Sequence, residues 1–299
     1  MTERKIAVVG AGTMGRGIAQ VAAQAGFQVV LYDGVPGAAQ KGLEVIQKSL
    51  QKLVDKGELE KGVAESAGKN VFVADVLDEV AGCFFIVEAI TEQREQKRDL
   101  FQKLDQLCGA SAVLASNTSS IPITELASVT RHPENVIGMH FMNPVPLMPG
   151  VEIIKGLKTS EETYRKTIKL AKQFSKQPVY SSDKAGFVIN RILMPLINEA
   201  IHVVEEGTST VEDVDNGAKY CLHHPLGPLA LSDVIGNDTT HHILSVIEGE
   251  LGERFKPASL LTWMVGAGLL GNKTGAGFYL WVDNKPQQVN GQLLKYLKQ

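Results

Sequence analysis

The feature that most constrains the fold is a glycine-rich loop between a short apolar run and a helical pattern near the start of the chain. The residues of this loop that we expect to line a dinucleotide are Gly10, Gly12, Thr13, Met14 and Gly15. In such a loop the first glycine permits a tight turn, the second lets the backbone approach a pyrophosphate, and the third lets the helix pack on the strand. The loop therefore predicts a dinucleotide site at the N-terminus of the first helix.

Asp33 stands at the end of the second apolar run, residues 27–32. A carboxylate at this position accepts hydrogen bonds from both ribose hydroxyls of NAD and repels the additional phosphate of NADP. A glycine turn that serves only the backbone is the alternative explanation of the loop. The order of strand, loop, helix, strand and acid favours the nucleotide, so the predicted cofactor is NAD.

The length and composition bound the class of protein. At 299 residues the chain exceeds what a single core usually covers, so we expect one large domain and a smaller one. A hydrophobic fraction of 44%, a charged fraction of 21% and a net charge of -3 are typical of a globular protein that does not bind nucleic acid. The longest apolar stretch, residues 260–270, is too short and too rich in glycine to cross a membrane. The expected partners are small molecules or copies of the same chain.

Two features favour a cytoplasmic location. The cysteines, Cys83, Cys108 and Cys221, are far apart and show no CxxC spacing, which is typical of unpaired thiols in a reducing compartment. Residues 1–5 run directly into the first strand, which leaves no room for a targeting peptide.

The residue pattern predicts two domains of different architecture. Residues 1–184 alternate short β-branched runs with helical patterns, which is typical of an α/β, Rossmann-type fold with a doubly wound, mostly parallel sheet. Residues 185–299 are expected to form a second, all-α domain in which strand-like sequence returns only at 277–280. The apolar positions of this second domain outnumber what it would bury alone, so we expect it to pack against the first domain or a second subunit.

Periodicity predicts the individual elements of the first domain. The expected strands after the first two are residues 70–73, 83–87, 112–115, 135–139 and 151–155, and the expected helices include 91–107 and 161–174. Residues 36–68 are expected to form a pair of helices that leans out from the sheet. The lysines of this helical arm are Lys41, Lys48, Lys52, Lys56 and Lys61, and on pattern alone they indicate a solvated face. A mobile arm beside the cofactor cleft that reaches a phosphorylated ligand is the alternative.

An enzyme that uses NAD also needs a group that takes or gives the alcohol proton, and histidine titrates nearest neutral pH. His140 directly follows the predicted strand 135–139, at the carboxyl edge where open α/β sheets bind ligands. Glu152 lies at the start of the next strand, and a turn beginning at Asn143 would let it contact the imidazole and fix its tautomer. A hydrogen-bonded histidine at a strand end, with no catalytic part, is the alternative.

Other polar residues have two interpretations each. Residues 116–120 place hydroxyls and an amide at the same sheet edge; most are expected to cap the following helix, and one hydroxyl remains available to a substrate oxygen. Asn190 interrupts the apolar run 187–193, so a backbone group or a ligand must satisfy its amide. The adjacent histidines at 223–224 and 241–242 lack the spacing of a metal site, so no metal is expected.

Several segments together make the chain resemble the L-3-hydroxyacyl-CoA dehydrogenase family over nearly its whole length. They are GAGTMGRGIA, VEAITE, ASNTSSIPIT, GMHFMNPVPLM with VEII, AGFVINRIL, HHPLGPLALSDVIG and NKTGAGFY. The resemblance implies a Rossmann-type first domain, a helical second domain that makes a homodimer, and reversible NAD-dependent oxidation of a 3-hydroxyacyl-CoA. A short-chain substrate, 3-hydroxybutyryl-CoA, is expected. A dehydrogenase of free 3-hydroxy acids and an NAD-binding protein without turnover are the alternatives.

The same resemblance implies roles for individual residues. His140 matches the catalytic base of the family and Glu152 its partner, while Ser119 and Asn190 match residues that hydrogen-bond the substrate oxygens. The positions that match residues near the cofactor are Glu92, Lys97, Ser119, Asn143 and Lys273, and those that match contacts of coenzyme A are Ser49 and Lys56. The helical arm is thereby implied to bind coenzyme A.

The chain departs from the family pattern at Ala185, where a proline is common, and at residues 148–150, which precede Glu152. Neither departure removes a catalytic group, although residues 148–150 bear on the turn that presents Glu152. Asn237, often leucine in relatives, places a polar group in the predicted core of the second domain.

Overall fold

A computed structural model describes residues 5–296, and the chain divides into two compact units, Met1–Phe187 and Val188–Gln299. Two short segments, residues 1–4 and 297–299, lie outside the described residues. The first is part of the segment in which no targeting peptide is expected, and the second is the end of the predicted helical domain. Within residues 5–296, no helix has both the length and the apolar composition that a membrane span requires.

The first unit is built on one eight-stranded sheet. Its strands are β1 (Lys5–Val9), β2 (Gln28–Tyr32), β3 (Val71–Val73), β4 (Phe85–Glu88), β5 (Val113–Ser116), β6 (Val136–Phe141), β7 (Gly150–Lys155) and β8 (Gln177–Ser182). The spatial order is β3-β2-β1-β4-β5-β6-β7-β8, and every neighbouring pair is parallel except β6 with β7. This is the doubly wound, mostly parallel Rossmann-type sheet that the sequence predicts.

Helices cover both faces of this sheet. They are α1 (Thr13–Gln24), α2 (Ala38–Asp55), α3 (Lys61–Lys69), α4 (Arg94–Cys108), α5 (Ile123–Ser128) and α6 (Glu161–Gln173). Strand β1 shows the division: Ile6 and Val8 belong to the apolar cluster under α1, α2, α3 and α6, whereas Ala7 and Val9 belong to the cluster under α4 and α5. Because successive side chains of a strand point to opposite faces, a strand covered on both faces is apolar throughout.

The helical arm, α2 with α3, packs onto the domain. Ile46 and Leu50 of α2, with Ala64 and Ala67 of α3, are buried in the same cluster as α1. The expectation that this pair leans out from the sheet is therefore wrong, because the apolar stripe of each helix is used against α1 and the sheet face.

Two strand predictions need correction. Strand β6 continues through Phe141, so His140 lies inside the strand and not after it, because antiparallel pairing with β7 extends the ladder to Phe141 opposite Val151. The sequence pattern does not predict strand β8. It is the exposed edge of the sheet and contains Pro178, and both features weaken the usual strand pattern.

The second unit is helical, as predicted, with one small addition. Its helices are α7 (Ile189–Glu205), α8 (Val211–Cys221), α9 (Pro228–Ile235), α10 (Asn237–Leu251), α11 (Ser259–Gly266) and α12 (Gly291–Tyr296). The addition is an antiparallel hairpin of β9 (Tyr279–Val282) and β10 (Lys285–Val289). Asp283 and Asn284 join the two strands and have φ values of 50° and 60°. A tight hairpin turn whose twist matches that of its strands requires positive φ at both residues.

Candidate active site

The glycine loop has the geometry that a dinucleotide site requires. Gly10 has φ +103°, and a Cβ added there would lie 2.5 Å from the carbonyl oxygen of Ala89. A Cβ on Gly15 would lie 1.7 Å from the carbonyl oxygen of Gly10, so only glycine lets α1 approach the loop this closely. A Cβ on Gly12 would meet no atom within 4 Å. Gly12 therefore borders open space at the N-terminus of α1, where a pyrophosphate fits.

Asp33 links the end of β2 to this loop. Its Oδ2 accepts a hydrogen bond from the backbone N–H of Ala11 at 2.7 Å, and its Oδ1 accepts one from the N–H of Val35 at 2.9 Å. The carboxylate is only partly buried and borders a cavity of about 440 Å³ that extends to Asp75. An acceptor held beside the glycine loop and open to a cavity fits the ribose of NAD.

His140 and Glu152 face each other across the antiparallel pair of β6 and β7. The two residues are direct partners in the register, and Nδ1 of His140 lies 2.7 Å from Oε2 of Glu152. Both side chains are buried, with 8% of His140 and 1% of Glu152 exposed. The ring of Phe187 packs 6.0 Å from the imidazole, centroid to centroid. The contact that the sequence predicts between these residues is present, although strand pairing produces it and not a turn alone.

Glu92 organises the hydroxyl-rich loop after β5. Its Oε1 accepts hydrogen bonds from the N–H groups of Ser119 at 2.9 Å and Ser120 at 3.1 Å, and from Oγ1 of Thr118 at 2.5 Å. Burial raises the pKa of the Glu92 carboxyl, but the Lys97 ammonium and these hydrogen bonds outweigh burial, so the pKa is lowered. Glu92 is therefore an ionised acceptor that holds Ser119 at the carboxyl edge of the sheet.

The prediction that residues 116–120 cap the next helix is wrong. Helix α5 begins after Pro122, and its first N–H groups, those of Ile123 and Thr124, donate to the carboxylate of Asp183 at 2.9 Å and 2.7 Å. The capping partner comes from a distant part of the chain because the hydroxyls lie upstream of the turn at Pro122.

Lys97 is buried beneath this loop, with 1% of its surface exposed. Its Nζ lies 2.5 Å from Oε1 of Glu88 and 3.3 Å from Oε2 of Glu92. Ser116 donates to the other oxygen of Glu88 at 2.6 Å. The side chain of Lys97 thus holds Glu92 in place and is itself shielded from the surface. Glu88 completes this network and is missed by sequence reasoning, although an acid that ends the apolar run 83–87 is a usable signal.

A groove of about 310 Å³ runs between α1, α2 and the loop of residues 143–147. Of the predicted site residues, Thr13, Asn143, Ser49 and Lys56 all line it. Its other lining residues include the cations Arg16 and Lys52 and the amide of Gln20, none of which the sequence analysis assigns to a site. Lys41, Lys48 and Lys61 do not line this groove. The arm therefore presents two of its lysines to a cavity and the others elsewhere.

The predicted site residues of the second unit are placed within that unit. Asn190 is the second residue of α7 and is buried. Lys273 lies in a short 3₁₀ turn, and its Nζ contacts both carboxylate oxygens of Asp238 at 2.5 Å and 2.7 Å. Asn237 has a structural explanation: it accepts from Ser232 at 2.7 Å, and it donates to Asp233 and to the carbonyl of Leu269 at 2.9 Å each. Within residues 5–296, no cluster of three or more His, Cys, Asp or Glu side chains could hold a metal ion.

A Rossmann-type nucleotide fold with an imidazole–carboxylate pair at the carboxyl edge of its sheet defines a nicotinamide-dependent dehydrogenase. Residues 5–184 match the model of the 3-hydroxyacyl-CoA dehydrogenase NAD binding domain, and residues 186–281 match the C-terminal domain of the same enzymes. The chain belongs to the 3-hydroxyacyl-CoA dehydrogenase family, and its cofactor is NAD.

Individual relatives are similar over almost their whole length. The chain is 46% identical over 280 residues to a probable 3-hydroxybutyryl-CoA dehydrogenase of Bacillus subtilis, covering 93% of this chain and 98% of the relative. It is 49% identical over 276 residues to the protein of the same description in Deinococcus radiodurans, covering 92% and 99%. The crystal structure of (S)-3-hydroxybutyryl-CoA dehydrogenase from Ralstonia eutropha superposes with a TM-score of 0.90 at 42% identity, covering 94% and 99%.

Proposed function

We propose that this chain catalyses the reversible NAD-dependent oxidation of an (S)-3-hydroxyacyl-CoA to the 3-ketoacyl-CoA, with 3-hydroxybutyryl-CoA as the short-chain substrate. The observation that carries the proposal is the buried pair of His140 and Glu152, 2.7 Å apart at the carboxyl edge of a dinucleotide-binding sheet. Relatives described as 3-hydroxybutyryl-CoA dehydrogenases, at 46% and 49% identity, support the choice of substrate.

The chemistry of the pair follows from its geometry. With a carboxylate as its partner, Nδ1 of His140 is the donor, so Nε2 is the nitrogen that can take the proton of the 3-hydroxyl. The Glu152 carboxylate stabilises the positive charge that the ring then acquires. NAD, when bound at the glycine loop and Asp33, supplies the hydride acceptor. Ser119, fixed by Glu92, and Asn190 are proposed to hold the substrate oxygens.

The groove favours a thioester over a free hydroxy acid. Arg16, Lys52 and Lys56 line it together with one acid, Glu58. Such an excess of positive charge suits the several phosphate charges of coenzyme A, whereas a free 3-hydroxy acid carries a single carboxylate. Ser49 and Lys56 are accordingly proposed as contacts of coenzyme A, and Thr13, Asn143 and Lys273 as contacts of NAD.

Substitution of the base tests the proposal. We expect His140→Gln to lower the rate of acetoacetyl-CoA reduction by NADH about 10²- to 10⁴-fold, because glutamine cannot exchange a proton. His132→Gln is a matched control, since His132 also pairs with a buried carboxylate, that of Asp105 at 2.9 Å. His132 lies before the start of β6, whereas His140 lies near the end of that strand. The control should retain activity.

The alternatives give different results in the same assay. Full activity of His140→Gln would contradict the assignment of the base. Oxidation of NADH with free acetoacetate but not with the thioester would identify an enzyme of free 3-hydroxy acids. Binding of NADH without reduction of any thioester would identify a protein that has lost turnover.

Assembly and location are further parts of the proposal. A homodimer through the helical unit is supported by its exposed apolar side chains, which include Ile192, Leu196, Tyr220, Leu222 and Val234. Sedimentation analysis of the purified chain would measure the assembly. A cytoplasmic location is supported by the free thiols of Cys83, Cys108 and Cys221.

A further inference from the structure

Lys176, which directly precedes β8, is a buried cation that the proposed reaction does not use. Only 5% of its surface is exposed. Its Nζ donates hydrogen bonds to the carbonyl oxygens of Val145 at 2.5 Å and Met148 at 2.7 Å. Among residues 5–296, no carboxylate forms an ion pair with this ammonium. Two neutral carbonyls are therefore the groups that Lys176 binds.

A buried ammonium without a counter-ion costs more free energy than a neutral donor at the same place would. Burial lowers the pKa of the Lys176 ammonium, because the charged form loses contact with water and gains no negative charge in return. An amide or a hydroxyl could donate to a carbonyl without this cost. The unbranched length of lysine and its three N–H donors, which let one side chain bind two carbonyls, distinguish it from those groups.

The two carbonyls belong to the β6–β7 loop, residues 142–149, which joins the two central strands of the site. His140 lies on the strand before this loop, and Glu152 lies on the strand after it. The residue that follows the lysine, Gln177, donates its backbone N–H to the carbonyl of Pro149 at 2.7 Å. The start of β8 therefore holds the β6–β7 loop at three of its carbonyls.

The opposite side of the β6–β7 loop packs against α1. A Cβ added to Gly17 would lie 2.9 Å from Cβ of Val145 and 3.6 Å from Cδ of Pro146. The loop is thus held between α1 and the start of β8. Release of one side would let the first residues of β7 shift relative to β6, and a displacement of about 1 Å at reacting groups can cost a large factor in rate.

We propose that Lys176 is a positioning residue: by holding the carbonyls of Val145 and Met148, it keeps the carboxylate of Glu152 against His140 during proton transfer. The inference rests on the proposed function and adds to it a residue that contacts neither substrate nor cofactor. It also gives a defined anchor to residues 148–150, where the chain departs from the family pattern and leads into the strand of Glu152.

The test is the Lys176→Met variant, which keeps an unbranched side chain and removes the donors. The kcat for reduction of acetoacetyl-CoA by NADH is measured at saturation, in the unmodified chain and in the Glu152→Gln background. We expect Lys176→Met to lower kcat about tenfold in the unmodified chain and less than about threefold in the second background. The effect shrinks because the contact that the lysine protects is already lost. Lys172→Met is the matched control, since Lys172 is exposed in the last turn of α6, and it should leave kcat unchanged.

The double substitution separates positioning from a structural role. A variant that only folds less completely loses the same factor in both backgrounds, so equal factors would overturn the proposal. A loss confined to KM, or no loss at all, would overturn it as well. If Lys176→Met does not fold, Lys176→Gln keeps one donor group and is measured in the same cycle against the same outcomes. If the unmodified enzyme reduces no thioester, the proposed function itself fails, which is a distinct result.

Discussion

Replacement of Glu152 by glutamine is the sharpest test of how the active site works. The substitution keeps the shape of the side chain and removes the charge that lies 2.7 Å from Nδ1 of His140. Because both residues are buried, water offers little compensation for that charge. The perturbation therefore acts on the contact between two neighbouring strands.

The expected magnitude follows from the nature of that interaction. A hydrogen bond to a charged group contributes about 1.5–3 kcal/mol, and in the transition state the imidazole becomes charged as it takes the proton. Loss of this stabilisation corresponds to a decrease in kcat of roughly 10- to 150-fold. A second effect has the same sign: when the glutamine donates its amide N–H to Nδ1, the proton of the ring moves to Nε2, and the base is blocked.

Steady-state reduction of acetoacetyl-CoA by NADH measures the effect on kcat and KM separately. We expect kcat to fall and KM to change little, because the removed interaction strengthens only as the reaction proceeds. Fluorescence titration with NADH should give an unchanged Kd, since Gly12 and Asp33 are untouched. A kcat for Glu152→Gln within twofold of the unmodified enzyme would refute the reasoning. So would a loss confined to KM.

Two further substitutions test NADH binding at the glycine loop and the stability of the helical unit. The Gly12→Val variant should fold normally, because a Cβ at this position meets no atom within 4 Å. It should raise the Kd for NADH at least tenfold, because the side chain fills the space beside the loop. Unchanged NADH binding would contradict this placement of the pyrophosphate. Asp233→Asn should lower the free energy of unfolding by about 2–6 kcal/mol in urea denaturation, because Asp233 accepts four hydrogen bonds at 2.9 Å and the new amide would oppose two of the donors. The exposed Asp238→Asn change should cost much less, and similar losses for both would contradict the argument.

The sequence is informative wherever the signal is local. The constraints on Gly10, Gly12 and Gly15 come from a few neighbouring atoms and from the start of one helix, so the motif alone predicts their geometry. The position of Asp33 follows from the length of the second strand. These features depend on short stretches of chain, and the structure has them where the motif places them.

Features that depend on packing between distant segments are predicted less well. The buried ion pair of Lys97 with Glu88 forms only when β4 and α4 pack together. The local sequence around either residue does not indicate that its side chain is buried. The Nε2 atom of Gln20 is buried without a hydrogen-bond partner among residues 5–296, and this is visible only when every described neighbour of α1 is in place. Strand β8 is absent from the sequence-based prediction because it forms by pairing with β7. Its own sequence is exposed and contains a proline, so it lacks the usual strand pattern.

The two ends of β6 show what topology adds to local chemistry. His132 before the strand and His140 within it each contact a buried carboxylate, at 2.9 Å and 2.7 Å respectively, so the chemical groups are alike. Asp105, the partner of His132, also accepts hydrogen bonds from the backbone and side chain of Arg131. Burial raises the pKa of the Asp105 carboxyl, but these hydrogen bonds outweigh burial and the pKa is lowered. The pair of His132 and Asp105 therefore connects a loop to α4. His140 lies at the carboxyl end of a strand that is parallel to β5, and at that end the loops of an open sheet converge on a ligand. The direction of one strand therefore separates a histidine that stabilises a loop from one that is placed to move a proton.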